Sequence, residues 1–468
     1  MAAFEAVSRI TLPTLNEDEV IDVRHATLPP ERALLNDYNP ADHRNPRNPI
    51  KLWMAHFNLL RTFFGAGILG LPLAVSQAGI ILGPIMTMSL GLLIMHMHAT
   101  LLWCLNDICR QLKIPNISYR YGFRIALLHG PSFCRKIGRY GPTIIAIFML
   151  LSQLGICTVF VIFTTDSLRD IMDWPTSRPA MAVLFVPYLF LEYFMKTLKV
   201  ISYISMMGTL FNFVGLIFVI YHIFLAPHGV LIYAAKNYLN FFFVIGTCLF
   251  NLSAVGVVLS LDKALKDPTV LTKPFGVIRF EMVIVTIILT IFGALGYWAF
   301  GTMEENVLRS LPFDDDTAMV AIGIYLVSIA FAYPIQCYPA IQIVIEIIKN
   351  RDVPDPPSNT TLKKIEYIAR PIFVLATFIV CYFIPIQGAF VAFVGNLCTT
   401  LIALVFPALM EACILYPNHF GKYKIYLIKD IIIITFGLTA WLLGVALCGD
   451  LIYIRILTIN AINNYMEY

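Results

Sequence analysis

The residues of this chain best suited to chemistry are, unusually, small ones. One stretch reads Arg61-Thr62-Phe63-Phe64-Gly65-Ala66-Gly67-Ile68-Leu69-Gly70-Leu71-Pro72, and another Phe250-Asn251-Leu252-Ser253-Ala254-Val255-Gly256. Both lie inside long apolar runs. Glycine weakens a helix by about 1 kcal/mol relative to alanine, and proline removes a backbone donor. Three glycines and a proline within eight residues therefore predict an interrupted helix. Interruption frees peptide groups, and at membrane depth free peptide groups persist only beside protein or a water-filled cavity. The amides of Gly65, Ala66 and Gly67, opening a half-helix, suit a carboxylate. The loosened segment holding Asn251, Ser253, Ala254 and Val255 suits an ammonium group. The competing reading is a close helix–helix contact through small residues.

Other polar side chains fall where they could wall such a site. Gln153 and Cys157 lie one helical turn apart on one face, as pocket walls or as interhelical hydrogen-bond partners. Gln336 sits between Pro334 and Pro339 and either lines a cavity or marks a proline kink. Phe63 is bulky enough to narrow a pocket to small ligands. Ionisable groups within apolar runs are functional candidates by default, because charge in lipid is costly. Arg61 could pair with a carboxylate, or bond the freed carbonyls of the broken helix. His96 can titrate near neutral pH or simply pack as a neutral hydrogen-bonded imidazole. His98 and His222 are weaker candidates. Glu192 precedes Lys196 by four residues and reads as an i,i+4 pair. Glu411 reads as an interfacial structural charge.

The elements that must position these residues are membrane spans. The chain has 468 residues, 59% hydrophobic and 13% charged, with a mean hydropathy of +0.77. Soluble domains carry roughly 25% charged residues, so lipid contact best explains the deficit. Spans of about 20 apolar residues can be placed near 53–76, 80–105, 142–168, 180–195, 200–225, 241–260, 278–300, 318–348, 368–386, 388–414 and 427–454. That makes eleven, the fourth short and the eighth long. With the N-terminus in the cytosol, the inner loops and flanks hold 24 Lys and Arg and the outer ones five, as the positive-inside rule requires. Residues 1–51 read as a mostly disordered cytosolic tail without a cleavable signal peptide, 52–455 as the transmembrane domain, and 456–468 as a short non-cytosolic tail.

The net charge of +4 does not point to nucleic acid. No CxxC or Cys/His ligand spacing predicts a metal, and cysteines in apolar runs or a cytosolic loop predict no disulfides. No cofactor is expected. No Ser/His/Asp, paired-carboxylate or HExxH constellation supports an enzyme, and no charged rings support a channel.

The first span enters from inside and the sixth from outside, and each interruption falls eleven residues in. At about 1.5 Å per residue both lie roughly 16 Å deep, near the midplane. Interrupted spans at matching positions of two inverted halves are the best sequence pointer to a transport site. Spans one to five and six to ten would form those halves, with span eleven added.

Gly65 through Ala74, followed by Ala78-Gly79-Ile80 and Gly83-Pro84-Ile85, strongly resembles the proton-coupled amino acid transporters of the amino acid/auxin permease superfamily. Supporting matches are Gln153 through Val159, Gly256 through Leu261, Gly293 through Gly301, Val394-Gly395, and Pro407 with Glu411. The resemblance implies an all-α membrane protein with eleven transmembrane helices in a LeuT-like 5+5 inverted repeat plus one. It further implies alternating-access transport of small amino acids such as Gly, Ala and Pro, with or without a coupled proton, at a plasma or a lysosomal/vacuolar membrane. His96 matches a family histidine, and Gln336 a family Gln-x-Tyr stretch whose following Glu is Gln342 in this chain. The family histidine implicated in proton coupling is replaced by Asn58, with His56 two residues earlier and turned elsewhere. Phe63 replaces an asparagine, and Leu252-Ser253-Ala254 replaces Phe-Glu-Gly. Proton-coupling candidates are therefore His56, Asn58, Arg61 and His96. The alternative to transport is an amino acid sensor with little flux.

Overall fold

A computed structural model of the chain describes residues 26–28 and 38–466, apart from 47, 228, 230, 234–239, 274, 275, 302, 304 and 351–357, with side chains described as far as Thr458. Its regular structure is helical. Among the described residues the one β-type contact is a parallel bridge between Ile50 and Leu265. Among the described residues ten helical segments are long and apolar enough to cross a membrane: Leu52–Ala78, Leu82–Leu112, Gly141–Ile171, Leu198–Leu225, Asn240–Ala264, Val277–Phe300, Asp316–Lys349, Asn359–Phe383, Gln387–Ile414 and Lys422–Thr458. The chain is a multi-pass integral membrane protein. The segment expected near 180–195 is the helix Arg178–Phe194, whose 17 residues with Pro187 inside them rise about 26 Å.

The first crossing is built from two pieces. Helix α1 (Leu52–Phe63) stops where Gly65 and Gly67 follow, a 3₁₀ turn covers Ala66–Gly70, and α2 (Leu71–Ala78) resumes. Pro72 stands in the first turn of α2, where its missing N–H would have no partner in any case. Gly79 ends α2 with φ +96°, a left-handed conformation that costs glycine nothing, and the chain reverses into α3 (Leu82–Leu112).

The expected basic loop 106–140 is largely helical, as α4 (Tyr119–His129) and α5 (Ser132–Gly138). Then come α6 (Gly141–Ile171), α7 (Arg178–Phe194) and α8 (Leu198–Leu225). The next crossing is again broken, into α9 (Asn240–Leu252) and α10 (Val255–Ala264). After a short turn of helix, α11 (Thr269–Thr272), follow α12 (Val277–Phe300), the 34-residue α13 (Asp316–Lys349) and α14 (Asn359–Phe383). Helix α15 (Gln387–Val394) widens into π turns over Gly395–Thr399 and Leu401–Val405 before α16 (Phe406–Ile414). The last helix, α17 (Ile425–Met466), runs past the span end read near 454.

Burial shows where the core lies. The most apolar stretch of Leu52–Ala78 is 89% buried and that of Asn240–Ala264 is 83% buried, against 28% for Asn359–Phe383 and for Lys422–Thr458. The interrupted crossings are central and sheathed by the intact ones, as irregular backbone in a bilayer requires. Contact is close enough that a Cβ placed on Gly395 would lie 1.9 Å from the Gly246 carbonyl oxygen. Small residues permit that approach between α9 and the π segment.

Residues 1–25, 29–37 and 47 of the expected tail lie outside the described residues. Residues near its C-terminal end are pinned to the body. Arg44 donates from Nη1 to the Asp262 carbonyl at 2.8 Å and to its carboxylate at 3.1 Å, and from Nε to the Pro115 carbonyl at 2.9 Å.

Candidate functional site

Helical geometry fails at Phe64 and Gly65. Phe64 has φ −87°, ψ 49° and Gly65 has φ −86°, ψ −164°. The freed Phe64 carbonyl accepts from Arg61 Nη1 at 3.2 Å and from Asn212 Nδ2 at 2.9 Å. Arg61 also donates to the carbonyls of Gly208, at 3.2 Å, and Ser328. It is fully buried. Of the two roles open to Arg61 from sequence, the structure displays bonding to backbone carbonyls: the guanidinium ties α1 to α8 and α13 and, among the described residues, meets no carboxylate. The other side of the break stays available. The first amides of any helix lack intrahelical acceptors, and the 3₁₀ turn opening at Gly65 has no side-chain cap.

The second break is narrower than the expected loosening from Asn251 to Val255. Asn251 and Leu252 remain in α9, Val255 opens α10, and only Ser253 and Ala254 are non-helical, with Ala254 at φ −129°, ψ 26°. The Ala254 amide donates to His98 Nε2 at 3.1 Å, and His98 Nδ1 is 2.8 Å from the Ile94 carbonyl. That pair of contacts assigns His98 the neutral tautomer with its proton on Nδ1. An imidazole from α3 thus caps the freed amide at the start of α10.

The two breaks meet. A Cβ built on Gly67 would lie 1.7 Å from Asn251 Oδ1, so only glycine lets the carboxamide of Asn251 rest there. The carboxamide is fixed by Nδ2 donation to the Thr247 carbonyl at 2.8 Å.

Helix α6 covers both breaks with residues at i, i+4 and i+7, one helical face. Phe160 closes on Gly65, whose added Cβ would be 3.1 Å from the ring. Gln153 closes on Gly256, whose added Cβ would be 2.5 Å from Nε2. Buried Cys157 lies between them. Gln153 is buried with its Oε1 lacking any hydrogen-bond partner. From α13, Pro339 approaches Gly256 at 3.1 Å from the same added Cβ. Gln336, three residues earlier on that helical face, is buried too. Phe63 is buried in the surrounding core.

Charge networks lie at two other places on α6 and α13. At one, the end of α6 and the loop before α13 are joined by Arg309 to Asp170 at 3.5 Å and to Asp166 at 3.8 Å, with Arg169 beside Asp170 on α6 at 2.5 Å. Burial lowers the Arg309 pKa, but the negative charges of Asp166, Asp170 and Glu305 outweigh it and hold the guanidinium above its ordinary value. At the other, Glu346 of α13 accepts from Ser118 Oγ at 2.6 Å and lies 3.6 Å from Arg120 and 3.8 Å from Lys263.

The two helix breaks meet in the buried centre of the molecule, and the sequence profile described as "Transmembrane amino acid transporter protein" matches residues 48–448. The chain belongs to that family. This transporter is 25% identical over 423 residues to "Proton-coupled amino acid transporter-like protein pathetic" of Drosophila melanogaster, covering 88% of each chain. It is 24% identical over 379 residues to "Amino acid transporter AVT3C" of Arabidopsis thaliana, covering 76% of this chain and 81% of that one. A solved Na+-coupled sialic acid symporter in a substrate-bound outward-open state, a LeuT-fold protein, superposes with TM-score 0.50 at 11% identity. That match spans 88% of the transporter and 91% of the symporter, and shows the fold.

The remaining candidates separate. His96 is exposed on α3 and lies 3.4 Å from Lys429 Nζ, away from the breaks. It is His98, two residues on, that reaches the site. Asn58 donates to Ser202 Oγ at 2.7 Å, a link between α1 and α8. His56 bonds through Nδ1 to Glu281 on α12. Glu192 pairs with Arg370 at 2.7 Å, not with Lys196; Lys196 instead lies over the rings of Tyr193 and Tyr367. Glu411 accepts from Lys429 at 2.6 Å. His98 and Phe160 are the contributors the sequence reading passed over. Only Phe160 carried a signal, its i+7 spacing from Gln153.

Proposed function

We propose that this transporter carries small neutral amino acids by alternating access, binding the zwitterion between the two broken crossings. The amides of Gly65, Ala66 and Gly67 receive the carboxylate. Gln153 Oε1 and the face around Asn251 and Ser253 receive the ammonium group, and Phe160 and Phe63 limit side-chain size. The single observation that carries this reading is the approach of Asn251 to Gly67, because it brings a half-helix N-terminus and a polar carboxamide to one point in the core. A helix N-terminus with open amides favours an anion, and a buried acceptor without a partner favours a donor.

Counting Arg178–Phe194 as a short fourth span gives eleven. The broken crossings are then the first and sixth, heading two inverted halves of five, with α17 added. The excess of Lys and Arg on the inner loops supports a cytosolic N-terminus. The membrane is that of the cell surface or of a lysosome or vacuole.

The test is uptake of radiolabelled glycine, alanine and proline into proteoliposomes, with and without a pH gradient. Uptake into the vesicle lumen supports carriage. Saturable binding without accumulation or exchange contradicts it and favours a sensor that signals through the segment around Arg44.

A further inference from the structure

Where α7 ends and α14 begins lies a group of lysines remote from the broken crossings. Arg370 of α14 fastens the two helices together there. Its Nη1 donates to the Glu192 carboxylate at 2.7 Å and to the Met195 carbonyl at 3.3 Å. Its Nη2 donates to the Glu366 carboxylate at 2.6 Å and to the Lys196 carbonyl at 3.4 Å. The rings of Tyr193 and Tyr367 are thereby brought within 5.8 Å of each other. Lys196 Nζ stands over both, 4.4 Å from the first centroid and 3.8 Å from the second. An ammonium group over an aromatic face is attracted by the ring quadrupole, so Lys196 is held in place on a two-tyrosine platform.

Three more lysines surround that platform. Lys363 and Lys364 precede Tyr367 by four and three residues, one turn earlier on the same face of α14. Lys199 stands in the first turn of α8. All three are exposed, and among the described residues none forms an ion pair. The carboxylates nearby, Glu192 and Glu366, are both bound by Arg370. Counting that arginine, five cations face two carboxylates, which leaves three positive charges in excess.

We propose that this platform is a lipid site: Lys196, Lys199, Lys363 and Lys364 bind the multiply phosphorylated headgroup of an anionic lipid in the cytosolic leaflet. The inference stands independently of what the transporter carries. The leaflet follows from the cytosolic N-terminus, which puts the end of α7 and the start of α14 inside. Clusters of four or more Lys and Arg just cytosolic of membrane helices attract anionic lipid, each residue contributing about fivefold in affinity.

Depth and surroundings select a lipid over a soluble anion. Tyr193 and Tyr367 are exposed at helix ends, where amphipathic rings sit at the membrane–water boundary. Phe194 and Ile368 beside them are exposed and apolar, a flank suited to acyl chains. One helical turn, about 5 Å, carries Lys363 and Lys364 outward from the ring of Tyr367 into the headgroup layer. A soluble anion would meet the charge but leave the apolar flank unused. An occupying headgroup bridges α7, α8 and α14 through charges that lack protein partners.

The experiment titrates the full-length transporter in detergent with short-chain phosphatidylinositol bisphosphate and counts bound lipid by native mass spectrometry. Wild type is compared with Lys363→Gln/Lys364→Gln, with Lys196→Gln/Lys199→Gln, and with Lys422→Gln/Lys424→Gln, a cytosolic pair just before α17 that serves as control. Each platform pair replaced by glutamine should weaken binding about 25-fold, the control pair should leave it unchanged, and Lys363→Arg/Lys364→Arg should keep it. Wild type that binds the lipid no better than phosphatidylcholine overturns the proposal, as do glutamine variants that bind like wild type. Equal loss in the control pair overturns it, because the attraction would then belong to the whole basic face. Loss in the arginine variant overturns it too, since charge would not be the cause. Inositol trisphosphate binding as tightly as the lipid would make this a site for soluble anions and equally overturn it.

Discussion

Gly67→Ala is the perturbation whose cost can be worked most directly from the geometry. The added methyl would lie 1.7 Å from Asn251 Oδ1, 2.7 Å from Cγ and 3.1 Å from Nδ2. The methyl cannot move without displacing the 3₁₀ turn, so the carboxamide must rotate away. Rotation sacrifices the bond from Asn251 Nδ2 to the Thr247 carbonyl, about 1 kcal/mol. Overpacking a dense core adds roughly 1–3 kcal/mol. The total of about 2–4 kcal/mol falls on the state in which the two breaks touch, and corresponds to a loss of roughly 30-fold to several hundred-fold in its population. Glycine uptake in proteoliposomes should fall accordingly, while thermal unfolding in detergent shows a folded protein. Truncating the clashing partner should undo much of the loss. Gly67→Ala/Asn251→Ala is expected to transport better than Gly67→Ala alone, with a coupling energy of about 1–3 kcal/mol. Wild-type uptake by Gly67→Ala, or strictly additive losses in the double variant, would refute the reasoning that these residues meet.

Arg61→Met should lower the melting temperature markedly, because three buried carbonyls lose a charged donor at about 1–3 kcal/mol each; an unchanged melting temperature would contradict the tie seen between α1, α8 and α13. His98→Ala leaves the Ala254 amide without its cap and should cost about 1–3 kcal/mol, with uptake reduced and partly restored in His98→Gln. Arg370→Met strands buried Glu192 and should destabilise by about 3–5 kcal/mol, and adding Glu192→Gln should recover most of that loss in a thermal melt. If Arg370→Met melts like wild type, the buried pair carries no stability.

Much of the fold was legible because each crossing must satisfy its own backbone in lipid. Runs of about 20 apolar residues therefore stand out, and Gly65, Gly67 and Ser253 announce where the rule is suspended. What escaped depends on tertiary approach. His96 and His98 are two residues apart, about 200° around a helix, and sequence offered no means of telling which faced the core; it was His98. The i,i+4 rule misfired at Glu192 because α7 ends at Phe194, leaving Lys196 beyond the last turn. Free of that partner, Glu192 pairs with an arginine 178 positions along the chain. His56 and Glu281 are 225 residues apart, and no local pattern joins them. The helices α4 and α5 were hidden by charge: their Arg and Lys read as a loop, although their apolar residues Phe123, Ile125 and Leu127 are buried.

The central claim is that a zwitterion binds between the two facing breaks, its carboxylate on the amides freed at Gly65–Gly67. Its most direct test is a cryo-electron microscopy map of the transporter in lipid nanodiscs with saturating glycine. The account predicts ligand density between the breaks, with the carboxylate within hydrogen-bond distance of the Gly65–Gly67 amides and the ammonium group toward Gln153 and Asn251. Continuous helix through both segments, or glycine bound away from them, would contradict it.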